Sequence, residues 1–167
     1  MKLKIRDIAV FAMIAAMMIA SKKIMEILPN IHLLGLFIVS LTIVYRSYAL
    51  IPIYLYVFLD GLLGGFSLWW YPYLYIWTIL WGMVMLIPKK LPEKVKNVLY
   101  ITVCAIHGFA FGILYMPAQM LMFGLDLKLG IAWWIAGLPF DIIHGISNLC
   151  VGLLIVPLVK VMKKLTQ

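Results

Sequence analysis

Asp141, His144 and Asn148 stand in an apolar run from Ile131 to Pro157, where a membrane helix would normally carry no such groups. Spacings of three, four and seven residues put them on one helical face at about 100° per residue. An ionisable side chain at the bilayer centre costs at least ~2.5–3.5 kcal/mol, so such groups turn toward a bundle interior or a watered cavity. This face reads as the floor of a binding site. Asp60, inside another apolar run, is the second strong signal.

Other chemistries fit these residues less well. Each aspartate has a purely structural alternative, pairing with a neighbour such as Tyr56 or His144. Asp141 and His144 supply two metal ligands, too few for a closed site, and no cysteine joins them. His107 is a third candidate ligand, although a core histidine bonded to a carbonyl is the better reading. No GxSxG, HExxH, P-loop or paired-glutamate pattern is present. Ser147, the nearest nucleophile, points about 100° away from Asn148. The chain therefore reads as neither an enzyme nor a holder of metal or cofactor.

The elements that must position these groups are membrane helices. Hydrophobic residues make up 66% of the 167 residues, charged residues 12%, and the mean hydropathy is +1.10, which no ordinary soluble domain shows. Uncharged runs such as Ile27 to Tyr45, Gly61 to Pro88, Asn97 to Leu125 and Ile142 to Val159 suit a ~30 Å hydrocarbon layer, which needs about 20 helical residues. Basic clusters and turn residues divide the chain into six spans, roughly 7–27, 31–45, 48–66, 69–88, 97–123 and 131–159. The expected fold is a compact all-α bundle of six transmembrane helices, one domain over residues 1–167, with both termini cytoplasmic.

Charge placement supports that topology. With the N-terminus inside, Lys2, Lys4, Arg6, Arg46, Lys89, Lys90, Lys94, Lys96, Lys160, Lys163 and Lys164 are cytoplasmic, against Lys22, Lys23 and Lys128 outside. Eleven against three satisfies the positive-inside rule. The net charge of +8 is scattered between apolar runs, without the basic, aromatic-interleaved stripe of a nucleic-acid binder. Cys104 and Cys150 fall inside spans and suggest neither a disulfide framework nor a metal site. The first 21 residues resemble a signal peptide, but an uncleaved first span is preferred. The second span, opened by Pro29-Asn30 and closed by Arg46, gives only about 22 Å of helix, so it must be broken or shielded by neighbours.

Counting 1.5 Å per residue from the nearest cytoplasmic charge brings the polar groups to one depth. Asp60 comes at ~21 Å, Trp77 and Tyr73 at ~18 and ~24 Å, and Asn148, His144 and Asp141 at ~18, ~24 and ~28 Å. All lie in the outer half of a ~30 Å core. Trp70, Tyr73 and Trp77 share a face with the deeper Trp81, and aromatic faces stack on heterocycles and attract cations. Tyr115 and Gln119 end the fifth span at the same level. The glycine-rich, aromatic Gly64–Trp70 loop and the Phe123–Gly130 loop suit a lid, with an aromatic interface belt as the alternative for Trp69 and Trp133.

The first span carries Ala12, Ala16 and Ala20 at four-residue steps, a flat strip on which another helix can seat closely. Gly61/Gly65, Gly108/Gly112 and Ala132/Ala136 match the same loose pattern. Only the first span adds a basic start and repackable methionines, Met13, Met17 and Met18. With its length, six spans and outer polar groups, the whole chain resembles the substrate-binding S components of energy-coupling factor (ECF) transporters.

That resemblance implies a function. Ala12 and Ala16 would dock on a transmembrane coupling subunit driven by two ATPase subunits, in the cell membrane of a prokaryote. The site would be built from Asp60, Trp70, Tyr73, Trp77, Tyr115, Gln119, Asp141, His144 and Asn148, holding a vitamin or precursor: a pyridoxine-like, thiamine-precursor-like or deazapurine-like heterocycle. The family's metal-transporting members use an N-terminal histidine, and Met1-Lys2-Leu3 offers none, which disfavours a metal substrate. A scaffold of the rod-shape-determining MreD type, similar in size and helix count, is the alternative, and it would bind no solute.

Overall fold

The computed structural model describes residues 5–28 and 30–166. Lys2 and Lys4 of the charge count, and Pro29 at the start of the second expected span, lie outside the described residues. Among the described residues the regular structure is all helical, with no strand. The α-helices are α1 (Ile5–Ile24), α2 (Leu34–Tyr45), α3 (Leu50–Gly64), α4 (Tyr73–Met85), α5 (Glu93–Phe109), α6 (Phe111–Phe123), α7 (Leu127–Gly152) and α8 (Ile155–Thr166). Among the described residues four stretches are long and apolar enough to cross a membrane: Ile5–Ile27, Leu34–Gly64, Glu93–Phe123 and Leu127–Gly152. The fold is that of a multi-pass membrane protein.

The six expected spans each meet helix, with four changes of detail, one being that the sixth begins at Leu127 and not at residue 131, so residues 127–130 of the expected Phe123–Gly130 loop are helical. The fourth begins later, at Tyr73, because residues 65–72 wind into turns in which the Ser67 and Trp70 N–H groups donate to the Gly65 and Ser67 carbonyls. The fifth breaks at Ala110, between Gly108 and Gly112, two residues with poor helix propensity. The sixth is interrupted at Leu153 and Leu154, where two tight turns lead into α8.

Helix α2 is the axis of the bundle. Its 12 residues span only about 18 Å, and every residue from Leu34 to Thr42 is buried. It packs against α1, α4, α5, α7 and α8. A short helix with no polar face survives in the apolar interior because neighbours cover it on all sides. Shielding is therefore the answer to its shortness.

Two meeting points define the ends of the bundle. At one, α1 and α3 finish side by side, and the turn before α4 meets α6, as Lys22 with Asp60 and the Tyr115 hydroxyl with the Trp69 carbonyl show. At the other, the Trp81 indole donates to the Arg46 carbonyl and Arg46 to the Met85 carbonyl, tying the α2–α3 turn to the end of α4.

Glycine sets the closest helix approach. A Cβ on Gly108 of α5 would stand 2.9 Å from the Gly145 Cα and from the His144 carbonyl oxygen of α7. Both obstacles are backbone, so neither can swing aside. Gly108→Leu is expected to force α5 from α7 and cost about 3 kcal/mol, the upper end for overpacking. Equilibrium unfolding in mixed detergent–SDS micelles would measure it, and an unchanged midpoint would contradict this packing.

Candidate functional site

The end where α1 and α3 finish carries an ammonium in a carboxylate and aromatic setting. Lys22 Nζ lies 2.5 Å from Asp60 Oδ2, and 4.9 Å and 5.0 Å from the Trp69 and Tyr73 ring centroids. Asp60 is 2% exposed and Lys22 20%. The carboxylate neutralises the cation and the ring faces add quadrupole attraction. Asp60 was expected to meet a solute directly; Lys22 stands in that place.

Beside this pair lies a cavity of about 160 Å³ lined by Lys22, Asn30, His32, Tyr73, Phe111 and His144, with residues from the Met25–Ile27 turn and Leu28 also contributing. A second, of about 280 Å³, is lined by Phe111, Tyr115, Gln119, Trp133, Trp134 and Asp141. Asn30 and Phe111 border both, so the two adjoin. Asn30 holds its left-handed conformation, φ 58°, which asparagine tolerates better than most residues.

His144 is 1% exposed, its ring 4.5 Å from that of His32 and 4.8 Å from that of Phe111. Among the described residues its Nε2 has no hydrogen-bond partner. His32 sits in the connection before α2, and burial pushes its pKa down, with Lys22 adding to the effect. A neutral imidazole both donates and accepts, which suits recognition of a ring nitrogen or hydroxyl.

Asp141 already has a structural duty. The break at Ala110 leaves N–H groups of α6 without helical partners, and Gly112 N–H donates to Asp141 Oδ1 at 2.9 Å. A Cβ on Gly112 would collide with that carboxylate. Oδ2 and the Trp134 indole approach without completing a hydrogen bond of standard geometry. Asp141 and Trp134 both line the larger cavity. Tyr115 stacks on Trp133 at 5.9 Å and donates to the Trp69 carbonyl at 3.1 Å.

The remaining expected residues lie elsewhere. Trp77 is 1% exposed, one layer beneath the cavities, with its ring 5.5–6.1 Å from those of Tyr73, Phe111, His107 and His32. Its stacking is on protein rings. The Trp70 indole donates to the Val57 carbonyl at 2.8 Å and fills the space above Gly61. Asn148 donates to the Cys104 carbonyl at 3.1 Å and fits against Gly35 and Gly108, fastening α7 to α5 and α2 below the site. His107 Nε2 lies 3.1 Å from the Ile76 carbonyl, the core arrangement expected for it.

Tyr73, Tyr115, Gln119, Asp141 and His144 thus line the cavities, joined by Lys22, Asn30, His32, Phe111 and Trp134, which the sequence did not single out. His32 had a visible signal, a histidine within the apolar Ile31–Leu36 run. Lys22 had none, because a lysine at a span end reads as a topology charge. Among the described residues no group of three or more His, Cys, Asp or Glu side chains is arranged to hold a metal. Both cysteines are free, Cys104 buried and Cys150 exposed.

The class that fold and site define is a multi-pass helical membrane protein with a polar and aromatic double cavity at one end. No protein-family model, curated protein or solved structure matches the chain.

Proposed function

We propose that this chain is the substrate-binding S component of an ECF-type importer in a prokaryotic plasma membrane, with six spans and both termini cytoplasmic. The observation that carries the reading is the pair of adjoining cavities, bordered by a histidine nitrogen without a partner among the described residues and by aromatic faces. Concave sites with a few convergent polar groups among aromatics are where small molecules bind. The solute is a vitamin or precursor with a planar heterocycle. Tyr73, Phe111 and Tyr115 offer ring faces, His144 and Gln119 hydrogen-bond ring substituents, and Asp141 Oδ2 accepts from a donor. Lys22, neutralised by Asp60, offers an N–H donor to an acceptor group at its end, in place of the cationic preference that an uncovered Asp60 would give.

In the proposed cycle the solute enters from outside, and the outer loops close over it. The loaded protein then topples against a transmembrane coupling subunit and releases the solute inward. Two ATPase subunits power the step, and this chain performs no chemistry. The exposed faces of Ala12, Ala16 and Ala20 on α1 support the docking side of this reading.

A thermal-shift panel of vitamins and precursors on detergent-purified protein, read by tryptophan fluorescence, tests the proposal. A ligand at a hundred times its Kd stabilises the native state by about 2.7 kcal/mol. His144→Ala should then weaken binding of the hit about tenfold, the loss of one good hydrogen bond. If no compound shifted a well-folded sample, the solute-binding role would fall and the scaffold alternative would replace it.

A further inference from the structure

The opposite end of the bundle holds a larger cavity, of about 560 Å³. Five cationic side chains from four parts of the chain line it: Arg46 from the α2–α3 turn, Lys89 beyond α4, Lys96 on α5, and Lys160 with Lys163 on α8. Glu93 is the one carboxylate among its lining residues, and Lys96 holds it at 2.6 Å. One wall is apolar, with Ile43 and Val156 half-buried at its surface and Ile155 and Val159 buried behind them. Five positive groups against one negative leave an excess that a bound anion would offset, and convergent Arg and Lys donors suit a phosphate oxyanion.

We propose that this cavity binds the phosphate headgroup of an anionic phospholipid, with an acyl chain along the apolar wall. The wall decides for a lipid over a free anion, since inorganic phosphate would gain nothing from isoleucine and valine. The surroundings agree, because basic pockets between transmembrane helices on the cytoplasmic side take anionic lipid headgroups. Arg46 anchors the floor through its bond to the Met85 carbonyl, 3.3 Å. Lys89 and Lys160 are exposed and able to close on a headgroup. Occupancy would clamp α8 to the α4–α5 connection. The solute-binding reading is not needed for this inference, which concerns the other end of the molecule.

Native mass spectrometry of the full chain in neutral detergent, titrated with phosphatidylglycerol, phosphatidylcholine or inorganic phosphate, gives the test. Phosphatidylglycerol should be retained about tenfold better than phosphatidylcholine, and inorganic phosphate at equal concentration should not displace it. Lys160→Gln with Lys163→Gln should weaken retention about 25-fold, roughly fivefold for each charge. Lys89→Gln, at an exposed site outside the helices, should weaken it about fivefold and serves if the double variant fails to fold. Equal retention of both lipids, displacement by inorganic phosphate, or variants that bind like the parent would each overturn the assignment. Binding of an acidic peptide in preference to phosphatidylglycerol would overturn it in favour of a protein partner.

Discussion

Lys22→Met should destabilise the folded chain by about 3–5 kcal/mol, and Asp60→Leu by a similar amount, because each leaves one charge of a buried pair without its partner. Asp60 is 2% exposed and lies 2.5 Å from the ammonium, so losing Lys22 leaves the carboxylate buried without that partner. The double variant, Lys22→Met with Asp60→Leu, should recover most of the loss, since two apolar groups of similar volume remove the desolvation cost together. Unfolding of the three variants in mixed micelles would complete a double-mutant cycle. Additive single losses would show that the two charges do not act as a unit. Only Lys22 also borders the smaller cavity. The two single variants should thus differ in solute affinity even where they agree in stability.

The second large effect concerns α1. Ala12→Trp combined with Ala16→Trp is expected to reduce uptake to background, a loss of more than about tenfold, while solute-dependent stabilisation of the isolated chain stays at the parental level. Both alanines are exposed on the face opposite the one that packs in the bundle, where Phe11, Ile14, Ala15 and Met18 are buried. Added indoles therefore project outward without disturbing the interior. Ala15→Trp is the contrasting variant: at 0% exposure it should impair folding itself by overpacking. Intact transport in the Ala12/Ala16 variant would remove this face as the docking surface.

Counting residues along a helix says how far along it a side chain sits, and nothing of which neighbour that side chain faces. Tyr73 and His144 meet at the small cavity, as their similar heights suggested. Asn148 shares a helical face with Asp141 and His144 but lies a further turn down, where α2 and α5 close in on glycines, and so becomes a fastener. Trp70 precedes the start of α4, in turns that rotate it onto α3. The alanine strip on α1 was legible because it needed no partner within the chain.

What the sequence by itself determined is local: apolar run length, helical periodicity and breaker residues specify that these segments are membrane-compatible helices, and how far along each one a polar group sits. Those properties depend on residues within a few turns of one another. Tertiary structure alone decided which polar groups meet. Lys22 finds Asp60 38 residues away, the Gly112 N–H finds Asp141 across 29, and His32 stacks edge-on against His144. Each encounter depends on how one helix is rotated and which neighbour it touches. Close glycine contacts between helices and the enclosure of α2 set both, and neither is a property of any single segment.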